Sequence, residues 1–363
     1  MKEKVCIFIV LMIFSTSESA SDNDMIQDSS RLKLKLISVV FRHGDRTPLK
    51  NEIYPNDPNK DKGNFPEGYG QLTIKGERRS FNLGRNLRER YNDHLDSKFS
   101  QGDIDAISTN VNRTKKTLEL LLEGLYPDWY QEITKKVLDN GENLLSTSKC
   151  PRFGAESKKL MNNPRAEAEI SKFDDFMIYL NAVTGRKVSD PGDMLQLYLL
   201  LDAESSMGLE LPSWTKKVYP DGRLLNGAVL AYRLNSYSDL LKKLNGGKVL
   251  QDIIRKMKSV EWDENQTHAK VNLYSAHESN LAALLIALGI NEPQVPKFSS
   301  AVVIEFYEGR HQYYVKVLQY RRRASDIFET LQIPGCSTLC PFDEFQNLLK
   351  NVTSTDRSIC ELR

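Results

Sequence analysis

The sequence predicts an α/β fold: a mostly parallel central sheet with helices on both faces, and a helical region inserted into it. An apolar run followed by polar residues and an amphipathic helix occurs three times, with the runs at residues 36–41, 104–108 and 270–275. From about 151 to 246, strand-like runs are scarce and charged helical segments dominate. A chain of 363 residues is long enough for one large domain with a smaller insertion.

We divide the chain into four parts. Residues 1–20 place two lysines before an apolar run, which is typical of a secretory signal peptide and too short to span a bilayer. Residues 30–150 and 247–363 are expected to form the α/β core, with a disulfide-tied tail at the end. Residues 151–246 are expected to form the helical insertion. A secreted product is the main expectation, and delivery to a lysosome-like lumen is the alternative.

The composition is that of an ordinary globular protein, with 40% hydrophobic and 27% charged residues. The formal net charge is +2, which gives no reason to expect nucleic acid or an anionic membrane as a partner. No later stretch approaches the roughly 18 consecutive apolar residues of a membrane-spanning helix. We therefore expect neither kind of partner.

The first apolar run ends in a dense group of polar residues. Residues 36–48 read L-I-S-V-V-F-R-H-G-D-R-T-P, and the apolar part is typical of a strand buried on both faces. The polar part then lies past the carboxyl end of that strand, where open α/β sheets bind ligands. Arg42 and Arg46 offer guanidinium donors that match phosphate oxygens, and His43 can act as a nucleophile. This stretch can hold a phosphoryl group and attack it.

A loop and a helix follow the first strand. Residues 51–70 contain three prolines and predict a long loop at the strand end, where substrate-facing loops lie. Thr73 is a suitable N-cap for a helix that runs to about Tyr91.

The second and third units place further polar residues at strand ends. Arg113 opens the helix after strand 104–108, and His277 and Glu278 follow strand 270–275. In both following helices, leucines at i, i+3, i+4 and i+7 predict one buried face. Because the carboxyl ends of parallel strands share one edge of a sheet, these residues are expected to converge with His43 on one crevice.

Two further elements are predicted from pattern alone. Apolar residues interspersed with lysine and arginine predict one long helix over Leu224–Leu244. Residues 301–307 and 313–318 predict a β-hairpin late in the chain.

Four cysteines remain if Cys6 is removed with the signal peptide: Cys150, Cys336, Cys340 and Cys360. An even number in an oxidising compartment suggests two disulfides, for which three connectivities are possible. A zinc site is the alternative, but no histidine lies near these cysteines in the sequence. There is also no metalloprotease motif, acidic cluster or Walker loop, so we expect neither a metal nor another cofactor.

Three N-glycosylation sequons occur. We expect Asn265 and Asn351 to carry glycans. Asn112 adjoins Arg113, where a glycan would crowd the crevice, so we expect it to be unmodified.

The run R-H-G-D-R-T-P at 42–48 resembles the R-H-G-x-R-x-P signature of the histidine acid phosphatases, in branch 2 of the histidine phosphatase superfamily. Several further segments resemble the same family: L-T-I-K-G…N-L-G-R-N-L-R-E-R-Y at 72–91, S-T-N-V-N-R-T at 108–114, L-P-S-W at 211–214 and P-G-C-S-T-L-C-P at 334–341. The wording S-A-H-E-S-N at 275–280 looks most like that of insect venom and related acid phosphatases. The resemblance spans about residues 33–345.

The resemblance implies a phosphoglycerate-mutase-like core with an inserted helical cap, and hydrolysis of small phosphate monoesters at acidic pH. It implies disulfides Cys336–Cys340 and Cys150–Cys360, and makes a homodimer possible. It also assigns roles to the crevice residues: His43 as the nucleophile that forms a phosphohistidine, Glu278 as the general acid, and Arg42, Arg46, Arg113 and His277 as phosphate-binding groups.

One position departs from the commonest family pattern. Vertebrate acid phosphatases mostly carry His-Asp where this chain has His277-Glu278. A glutamate can perform the same proton transfer, but its longer side chain must place the carboxyl differently. Two alternatives follow: a phytase of the same branch, and a weakly active or inactive protein that binds small ligands on the same scaffold.

Overall fold

The structure, a computed structural model, describes residues 32–139, 142–263, 268–290, 294–322 and 326–362. Its described strands are β1 (Lys33–Arg42), β2 (Ile104–Ser108), β3 (Lys135–Val137), β4 (Val271–Ala276), β5 (Ala301–Glu308), β6 (Tyr313–Arg322), β7 (Asp326–Leu331) and β8 (Cys340–Pro341). They form one sheet in the order β3-β2-β4-β1-β5-β6-β7, with β8 paired to β6.

Eleven α-helices lie in the described part of the chain. They are α1 (Ile74–Arg90), α2 (Asn112–Leu125), α3 (Pro151–Met161), α4 (Pro164–Ser171), α5 (Asp174–Thr184), α6 (Pro191–Met207), α7 (Arg223–Leu234), α8 (Asp239–Leu244), α9 (Gly246–Trp262), α10 (Glu278–Ala287) and α11 (Phe342–Leu349).

The sheet has a parallel half and an antiparallel half, which meet at β1. On one side β1 runs parallel to β4, β4 to β2 and β2 to β3. On the other side β5, β6 and β7 pair in antiparallel fashion, and β5 and β6 form the predicted hairpin. Since β4 lies between β1 and β2, all three strands that precede the polar junctions are neighbours. The predicted α/β class and the shared sheet edge are confirmed.

β1 is buried on both faces because its apolar residues alternate between two cores. Ile37, Val39 and Phe41 pack with residues of α1 and α2 on one face. Leu36 and Val40 pack with residues of α9, α10 and α11 on the other. Successive side chains of a strand point to opposite faces, so a continuous apolar run satisfies both layers of helices at once.

The helices α3 to α8 lie between β3 and β4 in the chain, and we call them the helical insertion. Residues of α5, α6 and α7 form a separate hydrophobic core, into which Tyr54 from the loop after β1 also packs. The prediction of one helix over Leu224–Leu244 is wrong. The chain leaves the helix after Leu234, and the Ser238 side chain accepts a hydrogen bond from the Leu241 N–H to cap a new helix. A serine oxygen competes with the helical backbone for this donor.

Two disulfides tie down the C-terminal part of the chain. Cys150, which directly precedes α3, is bonded to Cys360. Cys336 is bonded to Cys340 across a tight loop. This pairing matches the one implied by the family resemblance.

Two glycines let the polar loop after β1 approach the start of α1. Thr73 caps α1 as predicted, accepting a hydrogen bond from the Gly76 N–H, and its own N–H donates to the Asp45 carbonyl at 3.0 Å. A methyl group on Gly76 would overlap the carbonyl oxygen of Asp45, and one on Gly44 would overlap the carbonyl oxygen of Gly76. The close contact between this loop and α1 therefore requires glycine at both positions.

We expect Gly76→Ala to displace this loop and to destabilise the protein by about 1–3 kcal/mol, because the added methyl group has no space. Thermal unfolding checks this. The matched control is Gly154→Ala in α3, where an added methyl group meets nothing within 4 Å. That change should be neutral or mildly stabilising. Equal melting temperatures for Gly76→Ala and wild type would contradict the expected overlap.

Candidate active site

Three strand ends bring the predicted residues together at one edge of the sheet. Arg42 is the last residue of β1 and is in register with Ala276, the last residue of β4. His43 and His277 therefore leave neighbouring strands side by side, and their ring centroids lie 5.5 Å apart in an edge-to-face arrangement. Arg113 lies in the first turn of α2, shortly after β2.

His43 presents one unpaired ring nitrogen. The side chain is fully buried, and its Nδ1 lies 2.9 Å from the carbonyl oxygen of Gly44. A carbonyl oxygen only accepts, so Nδ1 carries the proton and donates it there. Nε2 is then unprotonated, and it has no hydrogen-bond partner within the described residues. An unprotonated imidazole nitrogen with a free lone pair is the form that acts as a nucleophile.

Burial and positive charge keep both histidines neutral. Burial lowers the pKa of His43 well below 6.5, and Arg113 and Arg42 lower it further by repelling the imidazolium. Burial, followed by Arg113, also lowers the pKa of His277, to about 4. The Nε2 of His277 lies 3.2 Å from the Thr109 hydroxyl, which can accept or donate according to the tautomer. Both rings can therefore meet a phosphoryl group uncharged, even in mildly acidic solution.

Arg42 is fully buried and held from several directions. Its Nη1 donates to the Pro296 carbonyl at 2.6 Å and to Asp202 at 3.4 Å. Its guanidinium carbon lies 3.7 Å from the centroid of the Phe298 ring. Its Nε is 3.6 Å from Glu278, and neither Nε nor Nη2 has a hydrogen-bond partner among the described residues. The N–H groups of Nε and Nη2, on a guanidinium that is fixed in place, thus remain available to an anion.

Arg46 is fixed by a paired contact with Glu52. Nη1 and Nη2 of Arg46 donate to the two carboxylate oxygens of Glu52 at 2.8 and 2.6 Å, and both side chains are buried. This fork-to-fork geometry fixes the plane of the guanidinium. The Nε of Arg46 has no partner within the described chain and can bond a further anion.

Arg113 completes a group of three guanidiniums. Its buried Nε also lacks a hydrogen-bond partner in the described part of the protein. Burial, and next the charge of Arg46, lowers the pKa of Arg113 to about 10, so that it stays protonated at neutral and acidic pH. Three cations that share a closed space disfavour one another, and an anion with several oxygens relieves that repulsion.

Glu278 is the first residue of α10 and borders the same space. Burial raises the pKa of Glu278, but the attraction of Arg42, with smaller help from Arg46, outweighs burial and leaves the pKa below 4.5. The carboxylate is therefore ionised before a ligand arrives. An incoming phosphoryl group brings negative charge towards it and favours its protonation.

The structure also brings residues to the site that the sequence did not single out. Glu52 and Asp202 hold Arg46 and Arg42, and Phe298 covers both Arg42 and His43, with its ring centroid 5.8 Å from that of His43. Glu52 lies in the loop predicted over residues 51–70, near the strand end. The sequence gives no reason to pair it with an arginine. No local pattern marks Asp202 or Phe298.

The remaining predicted positions lie elsewhere. The four disulfide cysteines form no part of the crevice. Among the described residues, Cys336, Cys340 and Glu344 are close enough to share a metal ion, but the disulfide removes both thiolates. Asn265 and the predicted signal peptide lie outside the described residues. Asn351 lies on the surface, in the turn after α11.

Comparison with known proteins identifies the family. The family model of the histidine phosphatase superfamily (branch 2) matches residues 33–319. The chain belongs to this family. It is 37% identical to the venom acid phosphatase Acph-1 of Apis mellifera over 344 residues, which cover 91% of this chain and 88% of that protein. It is 28% identical to human prostatic acid phosphatase over 342 residues, which cover 90% and 87%.

Solved structures agree on the fold. The phytase of Citrobacter braakii superposes with a TM-score of 0.66 at 16% identity, covering 91% of this chain and all of that one. The Hafnia alvei phytase in complex with myo-inositol hexakis sulphate gives a TM-score of 0.66 at 19% identity, covering 92% and 99%. The resemblance to branch 2 histidine phosphatases is confirmed, and with it the architecture.

We expect the imidazoles of His43 and His277 to remain neutral at about pH 5, roughly one unit above the pKa of about 4 for His277. Replacing Arg113 by glutamine should raise the pKa of His43, because one repelling cation is removed. NMR of isotope-labelled histidines can measure both effects, since the chain has only five.

The same depressed pKa values make stability depend on pH. The unfolded chain binds protons near pH 6.5 that these two folded sites exclude, so their contribution to stability falls as the pH drops from about 6.5 towards 4.

In the NMR measurement, an imidazolium signal for His43 in the folded wild type at about pH 5 would contradict the expected neutral ring.

Proposed function

We propose that this chain is a secreted acid phosphatase that hydrolyses small phosphate monoesters through a phosphohistidine at His43. The observation that carries the proposal is the unpaired Nε2 of a buried, neutral His43 beside three guanidiniums with unused N–H groups. A phosphoryl group supplies the oxygens that these donors lack. Positioning and charge stabilisation make up most of the catalysis of phosphoryl transfer.

In the first step, Nε2 of His43 attacks phosphorus and the bond to the ester oxygen breaks. The departing oxygen takes a proton from Glu278 and leaves as an alcohol. Arg42, Arg46 and Arg113 neutralise the other phosphoryl oxygens, and His277 contributes a further hydrogen bond. The products of this step are the alcohol, a phosphohistidine and an ionised Glu278.

In the second step, water attacks the phosphohistidine. Glu278 accepts a proton from the water as the new P–O bond forms, and the P–N bond breaks to restore neutral His43. Inorganic phosphate is released, and Glu278 is again protonated. The same carboxyl group thus acts first as an acid and then as a base.

Acidic pH suits both requirements of this cycle. Glu278 must begin protonated although Arg42 holds its pKa below 4.5 in the unliganded site, so low pH and a nearby phosphate both help. His43 must stay neutral, and its depressed pKa allows this in mildly acidic solution. An activity optimum below neutral pH follows.

Relatives support this proposal over its alternatives. The acid phosphatases named above match at 37% and 28% identity, whereas the phytases match at 16% and 19% and support the fold alone. An inactive ligand-binding protein would have no need of an unprotonated, unpaired Nε2 on His43. Assays of phosphate release from simple esters and from inositol hexakisphosphate separate the phosphatase, phytase and ligand-binding functions.

His43→Ala should abolish release of phosphate, because no nucleophile remains. Glu278→Gln should slow hydrolysis of an alkyl phosphate by about 100-fold, because a basic alkoxide needs a proton to leave. It should slow the first-turnover release of 4-nitrophenolate from 4-nitrophenyl phosphate much less, because that phenolate leaves without a proton. Later turnovers of both esters also need Glu278 as the base for water. Phosphate release is measured for both esters between pH 4 and 7.

A wild type that folds but turns over neither ester would contradict the phosphatase proposal and favour the ligand-binding alternative. Strong preference for inositol hexakisphosphate over both esters would favour the phytase alternative. Equal slowing of first-turnover release of the leaving group from both esters in Glu278→Gln would contradict the role of Glu278 as the acid.

The chain is proposed to enter the secretory pathway through residues 1–20 and to act outside the cell. No helix among the described residues is long and apolar enough to cross a bilayer. Asn265 and Asn351 are the proposed glycosylation sites, and the exposed position of Asn351 permits a glycan there. Asn112 is proposed to be unmodified. Small phosphate esters are the proposed partners, together with a second copy of the chain in a homodimer, and no nucleic acid, membrane, metal or cofactor is proposed.

A further inference from the structure

The loop that carries Glu52 is fastened to the helical insertion. Its Asn56 N–H donates to the Thr184 carbonyl at 3.1 Å, and Arg186 donates to the Glu52 carbonyl at 3.3 Å. Tyr54 is buried in the core of the insertion, edge-on to Trp214. The loop therefore bridges the insertion and the guanidinium of Arg46.

Two buried carboxyl groups meet where this loop contacts α6. Asp57 from the loop and Glu204 from α6 are 1% and 0% exposed. Asn59 links them: its N–H donates to Oδ1 of Asp57 at 2.8 Å, and its Nδ2 donates to Oε2 of Glu204 at 3.3 Å. The other oxygens, Oδ2 of Asp57 and Oε1 of Glu204, are buried and receive no hydrogen bond from a described donor.

Two facing carboxylates with no donor between them would repel each other in a medium of low dielectric constant. One shared proton removes the repulsion and gives each unpaired oxygen a hydrogen bond. Among the described groups near the pair, Lys60 is the cation that lowers the pKa of Asp57, but it makes no hydrogen bond to either carboxyl group. Tyr54 is a neutral phenol, and the exposed Lys60 donates to the Pro55 carbonyl at 2.8 Å.

We propose that Asp57 and Glu204 share one proton, and that this shared proton holds the Glu52 loop against the helical insertion and thereby positions Arg46. Both are positioning residues, since neither borders the crevice. The inference rests on the proposed function only where phosphate binding is concerned. The shared proton itself does not depend on catalysis.

The pair should lose its proton as the pH rises. Burial raises the pKa of Asp57, and burial followed by the charge of Asp57 raises the pKa of Glu204 to about 8. The folded protein therefore binds a proton that the unfolded chain releases near pH 4.5. Its stabilising effect is complete at acidic pH and is lost as the pH rises to about 8.

Asp57 is connected to the crevice through Glu52, which lies five positions earlier in the loop. The carboxylate of Glu52 fixes Arg46 through two hydrogen bonds. When the pair repels, the loop separates from α6 and this contact loosens. Phosphate affinity should then fall at neutral to alkaline pH for a reason that does not involve Glu278.

The test uses Asp57→Asn and Glu204→Gln in the full chain. An amide donates its own N–H to the remaining carboxylate, so the contact persists without a shared proton. The matched control is Asp61→Asn, which makes the same aspartate-to-asparagine replacement at an exposed position of the same loop. Equilibrium unfolding and inhibition by inorganic phosphate are measured from pH 5 to 8.5 for all four proteins.

We expect the unfolding constant of wild type, divided by that of either amide variant, to rise by up to about tenfold per pH unit between about pH 5 and 8, as one-proton linkage requires. The wild-type inhibition constant for phosphate should rise in the same interval relative to both variants. Asp61→Asn should follow wild type.

If the ratio of wild-type to variant unfolding constants does not change with pH, the shared proton is overturned. If that ratio changes with pH but the ratio of the inhibition constants for phosphate does not, the positioning of Arg46 is overturned. Failure of either amide variant to fold at pH 5 would also count against the proposal, because the amide should replace the shared proton. Absence of turnover in wild type would contradict the proposed function alone, since unfolding does not require catalysis.

Discussion

The structure depends on keeping His43 uncharged beside three arginines. A histidine in water would be largely protonated at the acidic pH where an acid phosphatase works, and its lone pair would be lost. Complete burial disfavours the imidazolium, and the repulsion of the guanidiniums adds to that effect. The same charges that are proposed to bind phosphate thus keep the proposed nucleophile neutral.

Burying cations is costly unless anions are near. Each arginine that is fixed in place has a carboxylate that does not occupy its whole donor edge: Asp202 for Arg42 and Glu52 for Arg46. Unused N–H groups remain on both guanidiniums. Partial pairing of this kind stabilises the guanidiniums and leaves N–H groups for the oxygens of the proposed phosphoryl group.

The supporting carboxylates lie outside the sheet edge, on the helical insertion and on the loop that contacts it. Asp202 and Glu204 are two residues apart on α6, and one holds Arg42 while the other accepts a hydrogen bond from Asn59 of the loop that carries Glu52. The insertion therefore contacts the surroundings of two of the three guanidiniums. Asp202 of α6 bonds Arg42, and Arg186 bonds the carbonyl of Glu52, whose carboxylate fixes Arg46.

The sequence by itself determined the local geometry of the site. Apolar runs of strand length, each followed by polar residues and an amphipathic helix, placed His43, Arg113, His277 and Glu278 at the ends of parallel strands, because strand and helix periodicities are read directly from neighbouring residues. The signature at 42–48 suggested the chemistry that is proposed for these residues.

Only the tertiary structure decided how the charges are balanced. Arg42 and Asp202 are 160 residues apart, and no local pattern connects them. Glu52 is only six residues from Arg46, yet its backbone is held by Arg186 of the distant helical insertion. The sequence does not predict the break before Ser238. A serine cap replaces continued helix only where the next helix can pack against the rest of the protein. Pairing of distant charges depends on burial, and burial exists only once the chain has folded.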